Sequence, residues 1–251
     1  MSQANESSDS PFAYISPQQE RRLIQEHLRL MFIRETDLFV QIMIKRVIGS
    51  FAKVSEEAIM AGREEGKRLR SLASTHRLDE SSIRSISETV AAAYSLNVGA
   101  VAQGTNNLVF AGLFHQFEQH VCCLLAVSYP KWKPPRKVKE PLDHLKQVLK
   151  AGGVSPESFQ SWTDIQELRL IANTVKHGVG PSSRDLEEKR PELFSEAFRE
   201  SKSVHALRPL SGIGLNLTES DLRNFGSALS GFWKELRKHL RMLNSTIGGM
   251  E

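Results

Sequence analysis

No proline occurs between Pro17 and Pro130, and this absence limits the chain's choice of fold more than any other feature. Proline removes a backbone donor and clashes with the preceding turn, so long helices need long proline-free stretches. The pattern inside the stretch agrees. Leu23, Ile24, Leu28, Met31, Phe32, Leu38, Phe39 and Ile42 recur at spacings of three and four with charged residues between them. That is the period of a helix burying one face. Ser16 at the cap, Pro17 at the first helical position and Gln19 closing a capping box mark its start. The pattern predicts helix to about residue 48, while Gly49, Gly62 and Gly66 weaken an unbroken run to about 70.

The rest of the chain reads the same way. Residues 73–82 form a polar loop, with Asp79 or Ser81 placed to cap a helix over 83–98. Gly99, Gly104 and Asn106-Asn107 predict a break before 108–127, which is apolar nearly all round and should be the most buried helix. Prolines 130, 134 and 135 forbid helix in 129–137. A short helix over 141–150 should end at Gly152-Gly153, and Ser155-Pro156 starts the next. Thr163 with Gln166 forms an apparent capping box for a helix that stops at Gly178. Short helices are expected in 185–189 and 195–201, and a last one begins with Thr218 and Asp221 as a capping box. No alternating strand, dinucleotide fingerprint, phosphate-binding loop or internal repeat is found in the sequence. The expected fold is therefore all-α, a bundle of long antiparallel helices. Its expected organisation is a disordered tail over 1–15, a long-helix region over 16–128, and further helices of 129–251 packed into the same bundle.

Composition excludes several classes. Apolar residues make up 40 % of the chain, enough for a packed core and too many for global disorder. A net charge of +4 and a pI near 9.1 bias the chain mildly toward anionic partners such as RNA. The amino-terminal MSQANESSDSPF has neither a basic start nor an apolar centre, so it is not expected to be a signal peptide. No run of about 18 apolar residues is present, so no membrane helix is expected. Cys122 and Cys123 are adjacent, a spacing that disfavours a mutual disulfide. They read as buried, reduced thiols in a reducing compartment, and together these features place the protein in the cytoplasm.

Chemistry concentrates in 163–178. Ile165, Leu168, Ala172 and Val175 form an apolar seam, and Arg169, Asn173 and His177 follow one another at intervals of four. Each such step advances only about 40° beyond a full turn, so the three polar side chains form one slanting row beside the seam. Lys176 lies next to it. A histidine can move protons near neutral pH, an arginine can grip a phosphate with two parallel hydrogen bonds, and an asparagine can position either. With the 2′-hydroxyl of RNA as nucleophile, no metal is required. The same row is also what a solvated helix edge looks like, and His177 in the last turn suits the helix dipole. His115 and Glu118 stand three apart, but no second carboxylate or histidine repeat accompanies them, so no metal site and no cofactor are expected. Lys131, Lys133, Arg136 and Lys137, with Lys139 beyond, surround Trp132. This loop could follow an RNA backbone while the indole stacks on a base, or could simply be a solvated basic loop.

The segment Asn173-Thr174-Val175-Lys176-His177, followed by Gly178, resembles the active motif of the HEPN superfamily, helical domains of toxin, abortive-infection and antiviral ribonucleases. The resemblance covers about 105–180. The family's arginine usually directly precedes the polar residue, where this chain has Ala172, with Arg169 one turn earlier. What the resemblance implies is a metal-independent endoribonuclease in microbial defence or a toxin-like role. Arg169, Asn173 and His177 would be catalytic and Lys176 supporting. Glu118 would support the site from a second helix, with Arg169 and Lys176 its natural partners. A homodimer that faces two such rows across a two-fold axis is also implied, with a protein partner in a defence or toxin–antitoxin system. The departure at Ala172 keeps a second reading open, a non-catalytic HEPN-like interaction or regulatory protein.

Overall fold

The computed structural model describes residues 16–76, 78–128, 141–178, 180–194 and 214–239. Helix α1 spans Pro17–Ile42 and winds directly into a π-helical turn, Met43–Val47, and a 3-10 turn, Ile48–Phe51. Helices α2 (Val54–His76) and α3 (Glu80–Ser128) follow. After α4 (Pro141–Ala151) and a 3-10 turn at Pro156–Ser158 come α5 (Trp162–His177) and α6 (Pro181–Lys189). A 3-10 turn at Pro191–Leu193 leads to an isolated antiparallel bridge between Phe194 and Leu215, and α7 (Glu219–Leu236) with a 3-10 turn at Arg237–His239 closes the described fold. The protein is an all-α helical bundle, and no strand is present among the described residues. The tail 1–15, the basic loop 129–137 and the helix expected over 195–201 lie outside them.

Local chemistry explains several helix ends. Ser16 Oγ accepts from Gln19 N–H at 3.3 Å while Gln19 Oε1 accepts from Ser16 N–H at 2.9 Å, the reciprocal box expected of that sequence. Thr218 and Asp221 do the same for α7, at 3.3 and 2.9 Å. Asp79 caps α3 by accepting from Ser82 N–H at 2.7 Å. Gly178 ends α5 with φ of 69°, a left-handed value that a side chain resists.

Two expectations are corrected. Helix α3 runs unbroken through Gly99, Gly104 and Asn106-Asn107. Gly104 and Asn107 are buried in the core, so tertiary packing overrides the weak propensity there, while Gly99 stays helical without such support. The box expected at Thr163 and Gln166 is absent. Helix α5 starts two residues earlier, at Trp162, and a carboxylate from a distant helix serves its amino terminus.

The core lies where α3, α1, α5 and α7 meet. Phe110, Leu113, Phe114, Phe117, Val121 and Leu125 supply the buried face of α3. Phe32, Phe117, Phe232 and Trp233 form an aromatic cluster with ring centroids 4.9–5.5 Å apart. Truncating such rings typically costs about 3–5 kcal/mol. Helices α1 and α7 cross closely at Gly226, where a Cβ would stand 2.6 Å from Val40 Cγ2. Two polar pairs link helices across the core: Gln25 Nε2 donates to Ser128 Oγ at 3.0 Å, and Ser230 Oγ donates to Asp37 Oδ1 at 3.0 Å.

Candidate functional site

The row on α5 is held by the burial of the seam beside it. Ile165, Leu168, Ile171 and Ala172 are fully buried and Val175 nearly so. This fixes the helix's rotation and turns the adjacent positions to the edge of the bundle. Arg169 and Asn173 are half-buried, while Lys176 and His177 are exposed. His177 occupies the last helical position, immediately before the left-handed Gly178.

Ala172 has a definite place in this geometry. Its side chain is 0 % exposed and points into the core. An arginine there would carry a charge into hydrocarbon, at a cost of several kcal/mol or more. The guanidinium nearest the Asn173–His177 pair on this helix's outer face is therefore Arg169.

Arg169 is not idle. Its Nη1 donates to Asp143 Oδ1 at 3.2 Å and its Nη2 to Asp143 Oδ2 at 3.1 Å, a two-pronged pair from α5 to α4. With Asp143 nearly half exposed, such a pair is worth about 1 kcal/mol or less. A phosphate could displace the carboxylate, because both offer the planar pair of oxygens that the guanidinium matches. Asp143 is a site neighbour that no sequence signal identifies, since it lies twenty-six residues away on another helix. Glu118 is mostly buried on α3 and stands 3.6 Å from His115 Nδ1. The basic loop residues Lys131, Trp132, Lys133, Arg136 and Lys137 lie outside the described residues.

The opposite side of α5 borders a different feature. Asp164, Glu167, Asp221 and Glu235, with Arg190 and Lys234, line a cleft of about 650 Å³ against α7. Burial raises the Glu167 carboxyl above its usual range, and the charges of Asp164, Glu192 and Asp221 push the same way against the attraction of Arg190. Arg190 bridges Glu167 and Glu192. Glu235 has a structural task here. It accepts from Gln160 N–H at 2.8 Å, from Ser161 N–H at 3.3 Å and from the Ser161 hydroxyl at 2.5 Å. It thus satisfies orphan donors where α5 begins.

A third ionisable cluster is internal. His120 is buried, stacks on Phe32 at 4.3 Å, and places Nε2 2.8 Å from Glu35 Oε2. Burial lowers its pKa, outweighing the raising effect of Glu35. The other ring nitrogen, Nδ1, is buried without a partner. Both facts fit a neutral ring that carries its proton on Nε2 and donates it to Glu35, because a bare lone pair is cheaper to bury than an unpaired N–H.

No group of three or more histidine, cysteine or acidic side chains suited to a metal ion occurs among the described residues. Nor is any helix there long and apolar enough to cross a membrane. Both cysteines are free, but Cys123 is exposed, contrary to the buried pair expected from VCCLLAV. That turn of α3 lies at the bundle's edge, and the apolar run includes two exposed positions, Cys123 and Ala126. The chain matches no protein-family model, no curated protein and no solved structure.

Proposed function

We propose that this protein is a metal-independent endoribonuclease of the HEPN type, acting in the cytoplasm in a microbial defence or toxin-like role. The observation that carries the reading is the position of the row. Arg169, Asn173 and an exposed His177 share one edge of α5 from its middle to its carboxyl end, held there by a buried seam. In the proposed reaction the His177 imidazole accepts the proton of an RNA 2′-hydroxyl. The 2′-oxygen attacks the adjacent phosphorus, and the bond from phosphorus to the 5′-oxygen breaks. The leaving oxygen takes up a proton from an imidazolium, which in a homodimer is supplied by the second copy's row. Arg169, released from Asp143, neutralises the charge that develops on the phosphoryl oxygens. Asn173 positions the phosphate, and Lys176 adds long-range attraction for the strand.

The products test this directly. Incubation of an oligoribonucleotide with the protein and EDTA should yield 2′,3′-cyclic phosphate and 5′-hydroxyl ends. Intact substrate, or cleavage only with added divalent metal, would overturn the proposal. A second reading, a non-catalytic HEPN-like interaction or regulatory protein, is favoured by one observation: Arg169 is already engaged by Asp143. It predicts no cleavage and a partner protein bound to the same face.

A further inference from the structure

Helix α2 and the amino-terminal half of α3 form an arm that the bundle barely touches. Among the described helices α2 packs extensively only on α3. Along α3, no residue between Ile83 and Gly104 is buried. The arm's own pairing is tight and regular. A Cβ on Gly62 would stand 2.7 Å from the Ser87 carbonyl oxygen, so the two helices approach backbone to backbone there. Arg70 Nη2 donates to Glu80 Oε1 at 2.5 Å near the tip, and the Tyr94 hydroxyl donates to Glu57 Oε2 at 3.1 Å near the base.

At that base each limb carries a local irregularity, although Met43, Ile44, Val47 and Ile48 rest against the core. On one limb α1 leaves the α-helical path through a π-turn and then a 3-10 turn before α2 begins at Val54. Ile48 N–H reaches the carbonyls of both Ile44 and Met43, the sign of a ladder changing pitch. Such changes inside a helical run mark hinges. On the other limb, five residues onward from the Glu57–Tyr94 pair brings Gly99 level with Ala52, in the turn that joins the 3-10 segment to α2. Gly99 sits mid-helix with no atom within 4 Å of a Cβ placed there, so packing gives no reason for glycine at that point. Glycine in a helix interior makes bending easier than alanine would.

We propose that the α2–α3 arm pivots as a rigid two-helix unit about a joint formed by the π and 3-10 turns of residues 43–53 on one limb and Gly99 on the other. The device is independent of the chemistry proposed for α5. The arm's thin core places it at the low-stability end of the molecule, where functional motions are found.

Spin-label distances test it in the full-length protein carrying Cys122→Ala and Cys123→Ser. One label pair joins the arm to the bundle (Arg68→Cys with Glu188→Cys), and a second lies within the arm (Arg68→Cys with Leu96→Cys). The pivot predicts a broad arm-to-bundle distance distribution and a narrow one within the arm. Gly99→Ala should reduce the population of conformers bent at that point about two- to five-fold. It should narrow the first distribution and leave the second unchanged. A narrow arm-to-bundle distribution in the parent protein would overturn the proposal, and so would a breadth that Gly99→Ala does not change. Equal breadth in both label pairs would overturn it as well, since it would mean that the arm frays rather than swings.

Discussion

Replacing Glu235 with alanine should loosen the start of the helix that carries the candidate site. The carboxylate of Glu235, on α7, receives three hydrogen bonds, two from backbone N–H groups of Gln160 and Ser161 and one from the Ser161 hydroxyl. Ser161 itself makes no capping bond through its side chain, so nothing local replaces what is lost. Loss of a helix cap typically costs about 1–2 kcal/mol. For a chain of this size that corresponds to a fall in Tm of roughly 2–8 °C. The pH dependence has a definite sign. The carboxyl is half-buried, and burial alone would raise its pKa, but the bonds from Ser161 and Gln160 and the charge of Lys238 together hold it below the usual range. A depressed folded pKa contributes stability above the unfolded value, about 4.3, and that stability is lost as pH falls through the folded one. Calorimetry at pH 7 and near pH 3 should therefore show a clear Tm gap between Glu235→Ala and wild type that shrinks on acidification. Equal Tm values at pH 7, or a gap that persists unchanged in acid, would refute the capping argument.

Two further outcomes follow from the packing. Because burial lowers the His120 pKa, its neutral form stabilises the fold above about pH 6.5 and that contribution is lost as pH falls toward the folded value. Thermal melts of His120→Phe should show a weaker loss of stability between pH 7 and 5 than wild type, and parallel curves would contradict the neutral assignment. Gly226→Ala should cost about 1–3 kcal/mol, the usual range for overpacking, because its Cβ would meet Val40 Cγ2 at 2.6 Å. Val40→Ala in the same chain should recover part of that loss in a denaturant titration, and strict additivity of the two changes would contradict a direct clash.

The features legible in the sequence were those whose causes are local. Ser16 with Gln19, and Thr218 with Asp221, are boxes closed within one turn, and both form. The seam Ile165, Leu168, Ala172 and Val175 follows from periodicity alone, and it is buried. What could not be read depends on distant partners. The start of α5 is set by Glu235, more than seventy residues away, and the orientation of Arg169 is linked to Asp143 on α4. Gly99 and Gly104 predict a break, but α3 is continuous through both, and burial from Gly104 onward supports the second. The row on α5 is legible as a pattern. Its chemistry is not, because helix period places side chains without saying what binds them.

The most direct test of the central claim is cleavage of an oligoribonucleotide, with EDTA present, by wild type, His177→Ala, Arg169→Ala and Arg169→Lys. The exposure of His177 and the partial exposure of Arg169 mean that these changes should leave the helical circular dichroism spectrum intact. The account predicts that wild type cleaves and that His177→Ala abolishes cleavage, since the proposed proton transfers pass through this imidazole and no other side chain in the row is an imidazole. Arg169→Ala should slow it by about 10²–10³-fold, the usual cost of one lost electrostatic contact to the transition state. Arg169→Lys should restore little, because an ammonium cannot form the planar fork. Wild type with no more activity than His177→Ala would contradict the account, and a lower Tm in the variants would then mark the row as structural.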